Sequence, residues 1–357
     1  MATPLADQAS ALHDRYRKGY VGRSRATRDL GALDALIADT AAFLPELGQS
    51  LTLRSQVEER LALYRTEREA IAQIQAGGPE AVAAWRLVEW SDLGFSRYAR
   101  DYAGQSRLTR DVALLEEMAA DQSGWQVAAA AVASKVGESR LKEQVAQMGK
   151  HAELYRAEVG EVKKAQAGLA PADRVGALAT RANRQFGLWR LHFEGRPRAS
   201  RRPGALRRIV AELKSIQAAM EATRAAGITS PTHAENIAKV ADRVRHHGEE
   251  LAKIEEARTN TPTAQLVGML GDDANKLIAR YRAEYSGKSR EGRDLNALAD
   301  LCEGMHEVAR AMEAVTADRG ADAQNARNLT VVLDHLKVME REFAAIRKAK
   351  GAARAKN

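Results

Sequence analysis

Arg25 and Arg28 stand three residues apart in the stretch YVGRSRATRDLGAL, residues 20–33, with Gly22, Ser24 and Asp29 around them. A hydroxyl and two planar guanidiniums just ahead of an apolar periodic run are residue types that can hold a phosphate or a carboxylate. The free N–H groups of a helix N-terminus would add to them. The same chemistry recurs at Arg107 and Arg110 in YAGQSRLTRDVALL, residues 102–115, and at Arg290 and Arg293 in YSGKSREGRDLNAL, residues 285–298. A fourth, altered version is LWRLHFEGRPRASRRP, residues 188–203. There Arg198 and Arg201 keep both arginines, Pro197 replaces the Ser, and Arg202 replaces the Asp. Residues 190–208 hold seven arginines, among them Arg196, with His192 and a single acid, Glu194. This third version is therefore the strongest candidate for an anion, phosphate or nucleic-acid site. Three roles stay open for the arginine corners. They brace a helix end, they join one copy or subunit to the next, or they bind an anion. The Asp in three of the copies weakens the last role by cancelling part of the field.

Other constellations carry less chemistry. GKS at 287–289 is not a phosphate loop, because Arg282 stands where the earlier Gly is required and the parallel triplets read GRS and GQS. The eight histidines show no metal-ligand spacing; Glu303 and His306 form one Glu-x-x-His pair with no second to face it. Cys302 falls on an apolar helix side and reads as core. No catalytic residue, cofactor or metal is expected, and the chain is read as a non-enzyme.

A second mark recurs downstream of each corner: Glu67, Glu158, Glu250 and Glu342, each three residues after Tyr64, Tyr155, His247 or Met339. From Tyr64 to Gly104, Tyr155 to Gly195 and His247 to Gly287 the distance is 40 residues each time. The four intervals from Gly to mark are 42, 51, 52 and 52, so copy one is short between its second and third helices. Each copy reads as three helices. The first ends at the motif Gly, a left-handed stop, and starts near Pro4, Pro79, Pro171 or Pro262. The second follows the corner, with Thr27, Thr109, Ser200 or Gly292 as expected N-cap and the Asp in the first turn. The third carries a 4–3 apolar spacing such as Leu141, Val145, Met148, Ala152, Tyr155, Val159 and Val162. Paired tyrosines four apart (Tyr16/Tyr20, Tyr98/Tyr102, Tyr281/Tyr285) share one face of the first helix and read as core packing. Arg15, Arg97 and Arg280 lie seven residues before their Gly, at the level expected to pair with Glu67, Glu158 and Glu342; Glu250 lacks such an Arg, since Leu188 stands there.

The fold class is thus all-α: four tandem three-helix repeats at 1–77, 78–169, 170–260 and 261–346, and a basic tail at 347–357 expected to fray. An extended or gently curved array is expected, with a compact pair of bundles as the alternative. Each repeat superficially resembles a spectrin-type three-helix unit, but the Pro breaks between repeats depart from that pattern. With 357 residues, 45% apolar and 5% aromatic, the chain can bury a core made of helices. No apolar run is long enough for a membrane span, and the N-terminus lacks a secretory-signal pattern. A single cysteine fits the cytoplasm. The function expected is a non-catalytic scaffold that binds a protein partner or itself through the corners. The net charge of +8 keeps a second function open: polyanion or nucleic-acid binding through the third corner and the tail.

Overall fold

The computed structural model describes residues 4–354 except 22, 23, 49 and 291, with backbone alone over 351–354. Gly22, expected to stop the first helix, lies outside the described residues. These residues form twelve α-helices and four short 3-10 helices, with no strand among them. In chain order the helices are α1 (Leu5–Gly19), α2 (Leu30–Phe43), α3 (Leu51–Ala76), α4 (Gly78–Asp101), α5 (Val112–Val136), α6 (Ser139–Ala167), α7 (Pro171–Phe193), α8 (Pro203–Ala225), α9 (Pro231–Asn260), α10 (Thr263–Glu284), α11 (Leu295–Arg319) and α12 (Ala323–Arg354). None of them is long and apolar enough to cross a membrane.

The local signals act as their chemistry dictates, with one change. Gly104, Gly195 and Gly287 follow α4, α7 and α10 with φ of 77°, 71° and 72°, the left-handed region that a side chain would strain. The change is at the second helix. In copies one, two and four its N-cap is the Asp, two residues after the expected cap, and in copy three it is Arg202. Asp29 accepts from the Ala32 N–H at 3.0 Å, Asp111 from Leu114 at 2.9 Å and Asp294 from Asn296 at 2.8 Å. The expected caps Thr27, Thr109 and Ser200 close a one-turn 3-10 helix instead. An Asp carboxylate reaches the free N–H groups and favours the positive helix end, so the helix begins two residues later.

The chain divides into two compact units: Met1–Ser91 with Trp125–Met148, and Asp92–Gly124 with Gly149–Asn357. This division does not follow the four sequence copies; it cuts copy two through α4, α5 and α6. In the first unit Tyr16, Tyr20, Leu33, Leu36, Tyr64 and Ile71 form one apolar cluster, and Trp85, Val88, Leu141, Val145 and Met148 belong to another that takes in Ala26. In the second unit, Leu206, Ile209, Leu213, Ile216 and Met220 of α8 pack with Ile237, Val240 and Ile254 of α9.

Within the second unit, segments from copy two and copy four meet directly. Arg97 of α4 reaches Glu303 of α11, Arg310 of α11 bonds Asp121 of α5 at 2.7 Å, and Arg347 of α12 bonds the Ala99 carbonyl at 2.8 Å. In an extended array each copy meets only its neighbours, so that expectation does not describe this unit. The physical cause is α11, in which every residue from 301 to 309 is buried. Glu303, His306 and Glu307 give it a polar stripe, and Arg97 and Arg100 of α4 and Arg202, just before α8, meet its carboxylates. The tail also departs from expectation: α12 continues to Arg354, and Arg347 and Lys350 make hydrogen bonds rather than fraying.

Candidate functional site

Each corner folds back over the third helix of its own copy, and the two corner arginines close on that helix's recurrent glutamate. In copy one the Arg25 fork bonds Glu67 through Nε at 3.0 Å and Nη2 at 2.7 Å, while Arg28 Nη1 bonds Glu67 Oε1. In copy two Arg107 bonds Glu158 at 2.8 and 2.9 Å, and Arg110 Nη1 joins Oε1. Arg198 bonds Glu250 at 2.8 and 3.2 Å, with Arg201 Nη1 on Oε1 at 2.6 Å. Arg290 bonds Glu342 at 3.1 Å twice, and Arg293 Nη1 joins Oε1. The same atoms bond the same atoms in all four copies. The first arginine spans both carboxylate oxygens, the bidentate geometry that only a guanidinium offers.

Two further bonds complete the corner. Tyr20, Tyr102 and Tyr285 donate to the carbonyls of Asp29, Asp111 and Asp294 at 2.8, 3.1 and 2.9 Å, tying the end of the first helix to the start of the second. Eight residues beyond each glutamate, a donor reaches the carbonyl of the second arginine. Gln75 bonds Arg28 O at 2.8 Å, Gln166 bonds Arg110 O at 2.9 Å, Arg258 bonds Arg201 O at 3.4 Å and Lys350 bonds Arg293 O at 2.6 Å. Sequence reasoning missed these donors because their types differ. The constant eight-residue spacing from the glutamate was the available signal.

Glu67, Glu158 and Glu250 are buried and Glu342 is partly so, and all four carboxyls lie below the usual carboxylate range. At Glu158 and Glu342 the hydrogen bonds from Arg107 and Arg290 lead; at Glu67 and Glu250 burial opposes ionisation and the arginines outweigh it. The side chain of the second arginine of each clamp is only 7–14% exposed, whereas those of Arg25, Arg107, Arg198 and Arg290 are 38–55% exposed. Two guanidiniums on one carboxylate leave each clamp with a net positive charge, which the adjacent Asp29, Asp111 or Asp294 offsets in three copies.

The expected braces Arg15, Arg97 and Arg280 sit elsewhere. Arg15 bonds Asp39 of α2 at 2.7 Å, Arg97 bonds Glu303, and Arg280 bonds Glu284 one turn along its own helix at 2.9 Å. The corner arginines occupy the glutamate carboxylates instead. Both partners of the Arg15–Asp39 pair are half exposed. Replacing Arg15 by Ala is therefore expected to change stability by less than ~0.5 kcal/mol in a urea titration.

The arginine-rich third corner is mostly neutralised from within. Arg202 forks onto Glu307 at 2.8 and 3.0 Å and also bonds Glu117 at 3.1 Å; Arg208 bonds Glu117 at 2.6 Å. Burial opposes the Glu117 charge, but Arg208 and Arg202 hold its carboxyl down at about 2. Arg196 has no ion pair among the described residues. Burial lowers its guanidinium, against the pull of Asp273 and Glu307.

Corners one to three also touch the first helix of the following copy. Ser24 bonds Glu89 of α4, Gln185 of α7 bonds Asp111 at 2.7 Å, and Ser200 bonds Asp273 of α10 at 2.9 Å. Beside the second joint, Arg181 donates twice to one oxygen of Glu212, at 3.0 and 2.5 Å. Burial, and then the Asp111 carboxylate, push Glu212 up to about 7. A raised carboxyl binds its proton more tightly folded than unfolded. Its stabilising contribution is complete below the unfolded value near 4.5 and is lost as pH rises through 7. Glu212→Gln is expected to flatten the fall in stability between pH 5 and 8, measured by urea midpoints at both ends. A slope unchanged by the substitution would assign the fall to other groups.

No group of three or more His, Cys, Asp or Glu side chains among the described residues has the arrangement of a metal site. No protein-family model, curated protein or solved structure matches the chain.

Proposed function

We propose that this protein is a non-catalytic helical scaffold of the cytoplasm, built from tandem three-helix copies at 1–77, 78–169, 170–260 and 261–346. Its arginine corners hold the copies in shape, and its outer helix faces meet a protein partner. One observation carries the reading: the corner arginines make the same bonds to Glu67, Glu158, Glu250 and Glu342 in all four copies. An anion site built on those arginines would have to compete with a buried carboxylate already in a bidentate pair. The buried thiol of Cys302 agrees with a reducing compartment. Tagged protein recovered from its native cells is expected to bring one defined protein in constant stoichiometry, resistant to nuclease. Recovery of the chain alone in low salt would overturn the reading.

A second reading, polyanion binding, draws on the net positive charge that each clamp leaves and on its half-exposed outer arginine. It predicts a gel shift with nucleic acid whose affinity falls steeply with salt and is lost when Arg107, Arg198 and Arg290 become Ala. Absence of a shift at ~50 mM salt would remove it.

A further inference from the structure

Helix α7 presents two arginines to a small cavity that no carboxylate lines. We propose that this cavity binds a small monocarboxylate with a short hydrocarbon tail, its carboxylate held by Arg174 and Arg181. The site lies wholly within the second unit and uses none of the clamp arginines, so it stands or falls independently of the scaffold reading.

The cavity measures about 180 Å³ and lies between corner two, the end of α6, α7 and α8. Arg174, Leu178 and Arg181 follow one another at spacings of four and three, so one face of α7 supplies all three. Leu108, Leu169 and Ala219 add to the apolar wall. Leu178 and Arg181 are buried, whereas Ala167 at the rim is exposed, which leaves a route in from solvent. A closed cavity of ~150 Å³ takes a benzene ring, so this one takes about six or seven non-hydrogen atoms.

Both arginines have donors to give. Arg181 is 6% exposed, yet its Nε and Nη2 both go to one oxygen, Glu212 Oε1, at 3.0 and 2.5 Å. Its Nη1 has no hydrogen-bond partner among the described residues. Arg174 donates through Nη2 to the Ala167 and Leu169 carbonyls at 3.0 and 2.8 Å, and its Nε is buried without a partner. It has no ion pair among the described residues. The Gln166 amide, the third polar group of the lining, donates to the Arg107 and Arg110 carbonyls and adds no charge. A buried donor left unpaired is costly, and a water would answer the donor without answering the charge. Phosphate brings more charge to desolvate and no apolar surface to set against the leucines. A carboxylate with carbon behind it satisfies both halves of the cavity. Glu212 tunes the affinity. It faces Arg181 of α7 and, at the start of α5, the Asp111 carboxylate and the Ala113 N–H. When Glu212 takes up a proton, Arg181 loses its counter-charge and turns its whole charge on the ligand. Binding and protonation therefore favour each other.

The test adds sodium butyrate to the full chain labelled at its leucine methyls. The Leu108, Leu169 and Leu178 signals are expected to move and saturate, with Kd at or below ~1 mM. Butyramide has the shape without the charge and inorganic phosphate the charge without the tail; each is expected to bind at least tenfold more weakly. Arg174→Gln is expected to weaken butyrate at least tenfold. That variant also loses bonds to the end of α6, so Ala177→Leu is the second: it fills the cavity, leaves both arginines in place, and is expected to abolish the shifts without lowering the thermal midpoint. Butyrate is expected to bind more tightly at pH 6 than at pH 8, and Glu212→Gln to remove that difference. No saturable shift by roughly 10 mM butyrate overturns the inference. So does equal binding of butyramide or phosphate, or an unchanged butyrate affinity in Ala177→Leu.

Discussion

Replacing Glu303 by Gln is expected to lower the stability of the second unit by ~4 kcal/mol. For a unit of this size that corresponds to a fall of roughly 8–16 °C in the thermal midpoint. Glu303 is buried on α11 and receives Arg97 through Nε at 2.8 Å and Nη2, and Arg100 through Nη2 at 3.1 Å. Both arginines are buried, and Arg100 is held further by Glu340 and Asp101. His192 lies 3.4 Å from the same carboxylate. Gln keeps the shape and one acceptor but removes the charge, which leaves two guanidiniums facing each other in a medium that solvates them poorly. Burial opposes the Glu303 charge, and Arg97, His192 and Arg100 hold its carboxyl well below the ordinary range. The charged form is therefore the one that stabilises. The linkage has one sign: this contribution is present above the unfolded value and is lost as pH falls through the folded one. The variant should lose less stability on acidification than the parent. A loss under ~1 kcal/mol would mean that Arg97 and Arg100 find Glu340, Asp101 or water instead. Replacing Arg97, Arg100 and Glu303 together by apolar residues of similar size is expected to restore much of the loss, because an intact buried pair has little net worth.

The helices were legible because their signals are local: Gly at a left-handed position, Pro at a start, apolar residues at 4–3 spacing. The recurrence of Glu67, Glu158, Glu250 and Glu342 was legible for the same reason, since position along a helix survives in sequence as a constant interval. Their partners were not. Level along two parallel helices pointed to Arg15, Arg97 and Arg280, but a hydrogen bond needs direction as well as level. The 3-10 turn that swings Arg25 and Arg28 back onto α3 left no periodic trace. The burial of α11 was hidden by its own composition. In sequence Glu303 and His306 showed only as a single Glu-x-x-His pair, because the arginines that meet Glu303 and Glu307 come from residues 97, 100 and 202, in other copies. An arginine that neutralises a distant carboxylate looks, in sequence, like one that waits for a ligand. The third corner is the clearest case: Arg202 and Arg208 marked it as an anion site, while their carboxylates, Glu117 and Glu307, lie far away in the chain.

The clamp makes the second large prediction, and it distinguishes bracing from ligand binding. Glu158→Gln is expected to cost ~3 kcal/mol, since it leaves the buried Arg110 without its counter-charge. Arg107→Ala, at the half-exposed outer position, is expected to cost under ~1 kcal/mol. The order matters more than either value. If the corner exists to hold α6 against the start of α5, the glutamate is worth more than the outer arginine, and Glu67→Gln should repeat the result in the first unit. If the corner exists to bind an anion, removing the glutamate frees two guanidiniums. Glu158→Gln would then gain affinity for phosphate while Arg107→Ala lost it. Urea unfolding of the three variants, with and without millimolar phosphate, reads both quantities at once. Equal costs for Glu158→Gln and Arg107→Ala would show that the pair acts as an ordinary surface salt bridge. Phosphate-dependent recovery of Glu158→Gln by more than ~1 kcal/mol would show that its carboxylate stands where an anion can bind.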